Sequence, residues 1–242
     1  MADNIQELEM QFDPGTIEHL GIQMYSTLLP VIAELVSNAY DADAHYVKIH
    51  LIDEGEKQII ISDNGHGMTY EHLNPKFLKI GRNRRASDTG QKSESGERYV
   101  IGKKGIGKLS FFGISHHIVV KTIRGGLKNS FALDWEKLKE EGKENRNYKP
   151  EVITANEQTE EGHGTTIILT RITRKTGFSP DDIAYSLAKD MAVFNESDFK
   201  VEIYHNNESE PIIVKNELRY KFIEVEHSWD FPKKIAKIRL RV

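Results

Sequence analysis

The sequence predicts an α+β fold, a mixed sheet covered on one face by helices. An apolar stripe of helical period near the start writes one long helix, and short apolar strands recur along the rest of the 242 residues. Strand and helix do not alternate regularly, so a doubly wound parallel sheet is not expected. No internal repeat or low-complexity segment interrupts this order.

Residues 16–44 read as largely helical, because Ile17, Leu20, Leu28, Leu29, Ile32, Leu35, Val36 and Ala39 recur at helical spacing, with Pro30 opening the main helix. Tyr46, Val47, Ile49 and Leu51, set against Lys48 and His50, read as a half-buried strand. After a turn at 53–55, Ile59, Ile60 and Ile61 form the next strand and run into DNGHGM. From Asn74 to Lys108 the chain is rich in Gly, Ser, Arg and Lys with little periodicity, which predicts a long mobile loop, and loops of that length usually carry function. Leu109, Phe111, Phe112 and Ile114 resume the core, followed by a strand HIVVKTI, an RGG turn and a strand NSFALDW. Residues 136–150 read as polar helix or surface loop, and GTTIILTRI as a strand. SPDDIAYSLAKDMAVF is a helix started by Ser179 with Pro180 at its first position. Two further strands, VEIYH and PIIVK, precede a tail KIAKIRLRV whose alternation shows no stop signal, so a longer protein is expected.

Composition removes several chemistries. Without cysteine there is no disulfide, no thiol nucleophile, no thiolate-held iron–sulfur cluster and no cysteine zinc site. The first residues, MADNIQELEM, have neither a basic start nor an apolar core, and no apolar run approaches about 20 residues, so a cytoplasmic location without a membrane is expected. The 33 Lys and Arg against 37 Asp and Glu give a net charge of -4, which names no partner. Resolved along the chain, that balance conceals segregation. Between Lys76 and Lys108 ten basic residues face three acidic ones, a charge of +7, which leaves -11 elsewhere.

Four short motifs carry candidate chemistry. In ELVSNAYDADA, Glu34, Asn38 and Asp41 lie four and three residues apart and share one helix face beside an apolar stripe. A carboxylate can take a proton from water, and an amide oxygen suits Mg²⁺ without adding charge. In ISDNGHGMT, Asp63 ends a strand, where it can accept a hydrogen bond from an exocyclic amine, and Gly65 and Gly67 allow tight turns near a ligand; alone, Asp-Asn-Gly is equally an ordinary turn. GKKGIGKL nearly spells a P-loop, but Leu109 stands where Ser or Thr would hold Mg²⁺ and no buried strand precedes it. A glycine-rich lid meeting phosphates through its backbone explains the same residues. EGHGTTIIL places Gly164 and Thr165 at a strand start.

Taken together, these motifs resemble those of the GHKL ATPase superfamily, which includes DNA gyrase B, the ninety-kilodalton heat-shock chaperone, histidine kinases, MutL and MORC proteins. Their order and separation match over about residues 16–170. The resemblance implies a Bergerat-type two-layer α/β sandwich with a mixed, mostly antiparallel sheet, ATP and Mg²⁺ as ligands, and hydrolysis to ADP and phosphate. It makes Glu34 the general base and Asn38 the Mg²⁺ ligand. Asp41 would support the adenine or the helix end, and Asp63 would bind the adenine amine. Gly65, Gly67 and Met68 would line the base, and Thr165 would reach toward Asp63 through water. Gly102, Gly105, Ile106, Gly107 and Lys108 would close on the phosphates.

The resemblance also implies an ATP-binding domain over residues 1–200 with a lid at about 74–108, and terminal strands at 201–242 that start a truncated transducer domain. Lid closure would act as a switch and drive homodimerisation, with DNA open as a partner of the full-length protein. GKKGIGKL departs from the lid of MutL, closer to GFRGEAL, so a plain mismatch-repair role does not follow. Two other functions stay open at this point: a nucleic-acid-binding module using the basic segment, and a nucleotide-binding scaffold or kinase-type domain without hydrolysis.

Overall fold

The computed structural model describes residues 7–10, 27–78, 92–101, 111–144, 146–190 and 197–222. Helix α1 (Leu28–Asp41) forms on the stripe the sequence announces, burying Val31, Ile32, Leu35, Val36 and Ala39. It begins two residues before Pro30, which therefore sits in the first turn, where a missing N–H costs no intrahelical bond.

Strand β1 (Tyr46–Ile52) buries Val47, Ile49 and Leu51 and leaves Lys48 in solvent. β2 (Gln58–Asp63) returns antiparallel beside it. β3 (Ser115–Arg124) and β4 (Leu127–Asp134) form a hairpin whose turn, Gly125 and Gly126, has positive φ at both positions. Asp134 then caps α2 (Trp135–Lys143), accepting the N–H groups of Glu136 and Lys137. β5 (Glu151–Gln158), β6 (Gly164–Ile172), α3 (Pro180–Asp190), β7 (Lys200–His205) and β8 (Ile212–Ile213) follow.

The eight strands form one sheet in the order β5-β4-β3-β6-β2-β1-β7-β8. Every neighbouring pair is antiparallel except β1 with β7. One face carries Val47, Ile49 and Leu51, then Ile59, Ile61, Ile167, Leu169, Ile118, Val120, Phe131 and Leu133, and these join the buried residues of α1, α2 and α3 in a single apolar cluster. The α+β fold, mostly antiparallel with its core on one face of the sheet, is as the sequence predicts.

Four expectations change. EVITANEQ, left unassigned within the sequence, is edge strand β5, with Val152 and Ile153 exposed. Residues 136–150 divide into the end of α2 and a short connection. The stretch from Asn74 is not an open loop at its start: Leu73–Leu78 is a helical turn that buries Leu73, Phe77 and Leu78. Lys200–His205 and Ile212–Ile213 extend the same sheet beyond β1 rather than standing apart from it. The tail KIAKIRLRV lies outside the described residues.

Ile49 is fully buried on an inner strand between β2 and β7. Ile49→Ala removes methyl groups from a site that cannot collapse around the loss, so unfolding stability should fall by about 2–5 kcal/mol. Urea titration checks this as a lowered midpoint at unchanged slope.

Candidate functional site

A cavity opens between the carboxy-terminal half of α1 and the ends of β2, β6 and the chain that follows β2. Its walls are largely apolar, from Leu35, Ala39, Ile61, Met68, Phe77, Phe111 and Ile167, with Asn38, Asp41, Asp63, His66 and Thr165 as polar groups. Apolar walls with few convergent polar groups are the usual form of a small-molecule site.

Asp63 is its central polar group. Register places it opposite Val47 on one side and Thr165 on the other, on the face that carries the core. Its Oδ1 accepts the N–H of Gly65 at 2.8 Å and of Thr165 at 3.2 Å. Burial raises the carboxyl pKa to about 6, against the opposing pull of those two N–H groups and of His66 and His163. The second oxygen, Oδ2, has no partner among the described residues.

The turn after β2 is stapled to the link between α1 and β1. Asn64 Oδ1 accepts from both His45 and Tyr46 N–H at 2.9 Å, and His66 N–H donates to Ala42 O at 2.9 Å. Both glycines of this turn are held at close approach to other backbone. A Cβ on Gly65 would stand 2.7 Å from Ala42 O, and one on Gly67, at φ +64, would stand 2.1 Å from Ile123 O. The protein's own backbone claims the space on the Cβ side of each glycine, and Gly67 also lines the cavity. Two histidines hold the turn as well: His66 Nδ1 donates to Gly67 O and His163 Nδ1 to Gly65 O, both at 2.7 Å, so the carbonyls fix each proton on Nδ1.

The other candidates divide. Asn38, Asp41, Met68 and Thr165 line the cavity. Thr165 reaches Asp63 directly through its N–H. Asp41 holds the chain and not only the cavity, because its Oδ1 accepts Ile101 N–H at 2.8 Å. Glu34 is half-buried one helical turn before Asn38 and is not among the lining residues. Gly102, Gly105, Ile106, Gly107 and Lys108 lie outside the described residues, as do Arg82, Arg84 and Arg85.

Arg98 departs from the reading of 76–108 as a phosphate-facing basic segment. It is 7 % exposed and donates to Ala44 O at 2.6 Å, to Tyr40 O at 3.3 Å and to the Asp198 carboxylate at 2.7 Å, with its guanidinium over the Tyr40 ring. Tyr40 O lies in the last turn of α1 and Ala44 O just beyond it, where a cation meets the helix dipole favourably. Asp43 takes Ser95 N–H and Oγ, and Arg124 pairs with Glu94 beside His66. Residues 92–101 are thus bound to the base of the cavity.

Sequence reasoning missed Asn64, His163, Arg98 and Thr122. The signal for Thr122 was present: it is the one polar residue at the core-facing positions Ile118, Val120 and Thr122 of β3, and it is fully buried.

The model of the family described as histidine kinase-, DNA gyrase B-, and HSP90-like ATPase matches residues 25–165, which include the helix, the turn and the start of β6. Among curated proteins, one provisionally described as the type II restriction enzyme HgiDII of Herpetosiphon aurantiacus is 33% identical over 191 residues, 78% of this chain and 30% of that protein. Chaperone protein HtpG of Francisella tularensis subsp. holarctica is 31% identical over 173 residues, 62% of this chain and 26% of HtpG. DNA mismatch repair protein MutL of Lactobacillus acidophilus is 27% identical over 104 residues, 42% of this chain and 16% of MutL. The chain spans less than a third of the length of these relatives.

A carboxyl whose folded pKa is raised binds protons more tightly when folded, so its contribution favours folding at low pH and is lost as pH rises through about 6. Asp63→Asn keeps an oxygen for the Gly65 and Thr165 N–H groups and removes the buried charge. The variant should melt at a higher temperature than the wild type above pH 6, and the difference should shrink as pH falls toward the ordinary carboxylate range; thermal melts from pH 5 to 8 at fixed ionic strength measure it.

Proposed function

The chain belongs to the histidine kinase-, DNA gyrase B-, and HSP90-like ATPase family, and from that premise we propose that its cavity holds the adenine of ATP and that the chain hydrolyses ATP to ADP and phosphate. The observation that carries this is Asp63 in an apolar slot, with Oδ1 taken by two backbone N–H groups and Oδ2 without a partner among the described residues. An adenine amine supplies the donor that such an acceptor needs.

Leu35, Met68 and Ile167 offer the base apolar walls, and Asn38 stands at the helix face of the same cavity. The residues fit a nucleotide with Mg²⁺: Asn38 brings a neutral oxygen donor, and the carboxylate in the slot, Asp63, is committed to backbone donors on one side. When bound, Mg²⁺ neutralises charge on phosphate oxygens. Glu34, one turn along α1 from Asn38, is the general base in this scheme, taking a proton from the attacking water at its carboxylate. Gly102, Gly105, Ile106, Gly107 and Lys108 meet the phosphates in the same scheme, supported by their sequence pattern alone.

For the longer protein we read slow turnover, ATP-dependent homodimerisation and a switch set by closure of the glycine-rich segment, supported by the family resemblance. A DNA partner is supported by two relatives being named for restriction and mismatch repair.

Glu34→Ala should bind ATP as the wild type does and lose at least about a hundredfold in phosphate release, the scale on which a positioned base acts. Isothermal titration with ATP beside a phosphate-release assay separates the two effects. Binding without release in the wild type would make the chain a nucleotide-holding scaffold, and unchanged release in Glu34→Ala would remove Glu34 as the base.

A further inference from the structure

Asn64 and Gly65 form the one Asn-Gly pair in the sequence. In a flexible chain this pair is prone to deamidation, because glycine sets no side chain in the way when its own backbone nitrogen attacks the asparagine carboxamide. The fold nevertheless requires both members. Asn64 Oδ1 accepts the N–H groups of His45 and Tyr46, each at 2.9 Å, and a Cβ on Gly65 would stand 2.7 Å from Ala42 O. A chemically labile pair is therefore built into the turn that carries Asp63.

The reaction is intramolecular and draws on water alone. Hydroxide or water takes the Gly65 amide proton, and the nitrogen attacks Asn64 Cγ; the N–Cγ bond forms, the Cγ–Nδ2 bond breaks and ammonia leaves. Water then opens the succinimide ring at either carbonyl. One product is aspartate, and the other is isoaspartate, in which the main chain runs through the former side chain.

Both reacting groups are restrained in the folded chain. Gly65 N–H donates to Asp63 Oδ1 at 2.8 Å, so the proton to be lost is already held and the amide anion would form against a carboxylate. Bringing Cγ to bonding distance moves the carboxamide, and its two bonds tie it to the link between α1 and β1. The residues that follow cannot give way easily, since His66 N–H is held by Ala42 O at 2.9 Å and Gly65 O by His163 Nδ1 at 2.7 Å.

We propose that Asn64 is a latent self-modification site, a deamidation position that the native turn holds closed and that local opening of this turn releases. Isoaspartate at 64 puts one more main-chain carbon between Asp63 and Gly65 and adds a negative charge. The Gly65 and His66 N–H groups then no longer meet Asp63 and Ala42, so the cavity loses the setting of its central acceptor in one irreversible step. A nucleotide bound at Asp63 holds the turn shut and slows the reaction, a consequence that rests on the cavity being a purine site.

The test incubates the wild-type chain at pH 8, folded and in urea beyond its unfolding midpoint, and follows residue 64 by peptide mass mapping and enzymatic methylation of isoaspartate. The folded rate should be lower by about a hundredfold, the scale set by a minor open state. Asp63→Ala frees the Gly65 N–H and should raise the folded rate by about tenfold or more, whereas Ile49→Ala, which weakens the core away from the turn, should leave it unchanged. Where Asp63→Ala does not fold, hydrogen exchange at the wild-type Gly65 amide gives the open fraction, and the folded rate should equal the unfolded rate multiplied by it. A folded rate equal to or above the unfolded one, as the two donors on Oδ1 would produce by stabilising the oxyanion, overturns the proposal. So does a rate that rises in Ile49→Ala and not in Asp63→Ala, or one that departs from the open fraction. Chain carrying isoaspartate, separated by ion exchange, should bind ATP more weakly than the unmodified chain, and equal binding overturns the consequence for the cavity. If unmodified chain binds no ATP, the purine reading fails and the latch is judged on the nucleotide-free rates; if ATP binds and the rate does not fall, the link between occupancy and the latch is overturned alone.

Discussion

A carboxylate at the end of a strand whose inward face is apolar must find donors, and Asp63 finds two in the backbone, the N–H groups of Gly65 and Thr165. The requirement spreads outward. Thr165 comes this close because Gly164 precedes it, at φ +145, where a Cβ would stand 2.1 Å from Asp63 O. Gly65 comes close because the turn folds back on Ala42, and Asn64 secures that fold by collecting the N–H groups of His45 and Tyr46. Fixing this turn fixes the link from α1 to β1. The end of α1, with Asn38 and Asp41, is thereby held over the cavity.

Residues 92–101 are held by the same structure from the other side. Arg98 donates to the carbonyls of Tyr40 and Ala44 around the end of α1, Asp43 binds Ser95, and Asp41 binds Ile101. A buried guanidinium is stable only where its donors are met, and Tyr40, Ala44 and Asp198 meet them here while the Tyr40 and Phe199 rings cover its faces. Because Asp41 both lines the cavity and accepts from Ile101, the residue next to Gly102, the cavity wall and the start of the glycine-rich segment share one carboxylate.

What was legible in the sequence follows from how local each signal is. The stripe of α1, the alternation of β1 and the start of α3 at Ser179 and Pro180 depend on near neighbours, and all three recur in the fold. The motif order identified the family because three of the motifs sit at the ends of elements that the core places, α1, β2 and β6. Edge strand β5 escaped because EVITANEQ has polar residues on both faces and only one neighbouring strand to satisfy. Arg98 was counted among phosphate-facing cations because net charge records no tertiary partner. At Gly65 and Gly67 the chain itself makes the close approach on the Cβ side, a contact between distant segments that their sequence spacing does not show, and Gly67 also lines the cavity. Thr122 looked like one more strand residue, since β-branched shape suits a strand whatever the hydroxyl is doing.

The choice of an acid at position 63 has an energetic consequence beyond recognition. In the empty cavity the ionised form is disfavoured by burial, and the raised pKa measures that cost. Asparagine would satisfy the same two N–H groups without it. A charged acceptor, however, makes the stronger hydrogen bond to a ligand donor and is the more damaging partner for a ligand acceptor. In the proposed reading, a ligand that brings a donor to Oδ2 offsets this burial cost, and by binding the folded chain it adds to stability. In the proposed reading, recognition and folding meet at Asp63, so the residue whose buried charge weakens the fold is the one that makes binding of a base with a donor stabilising.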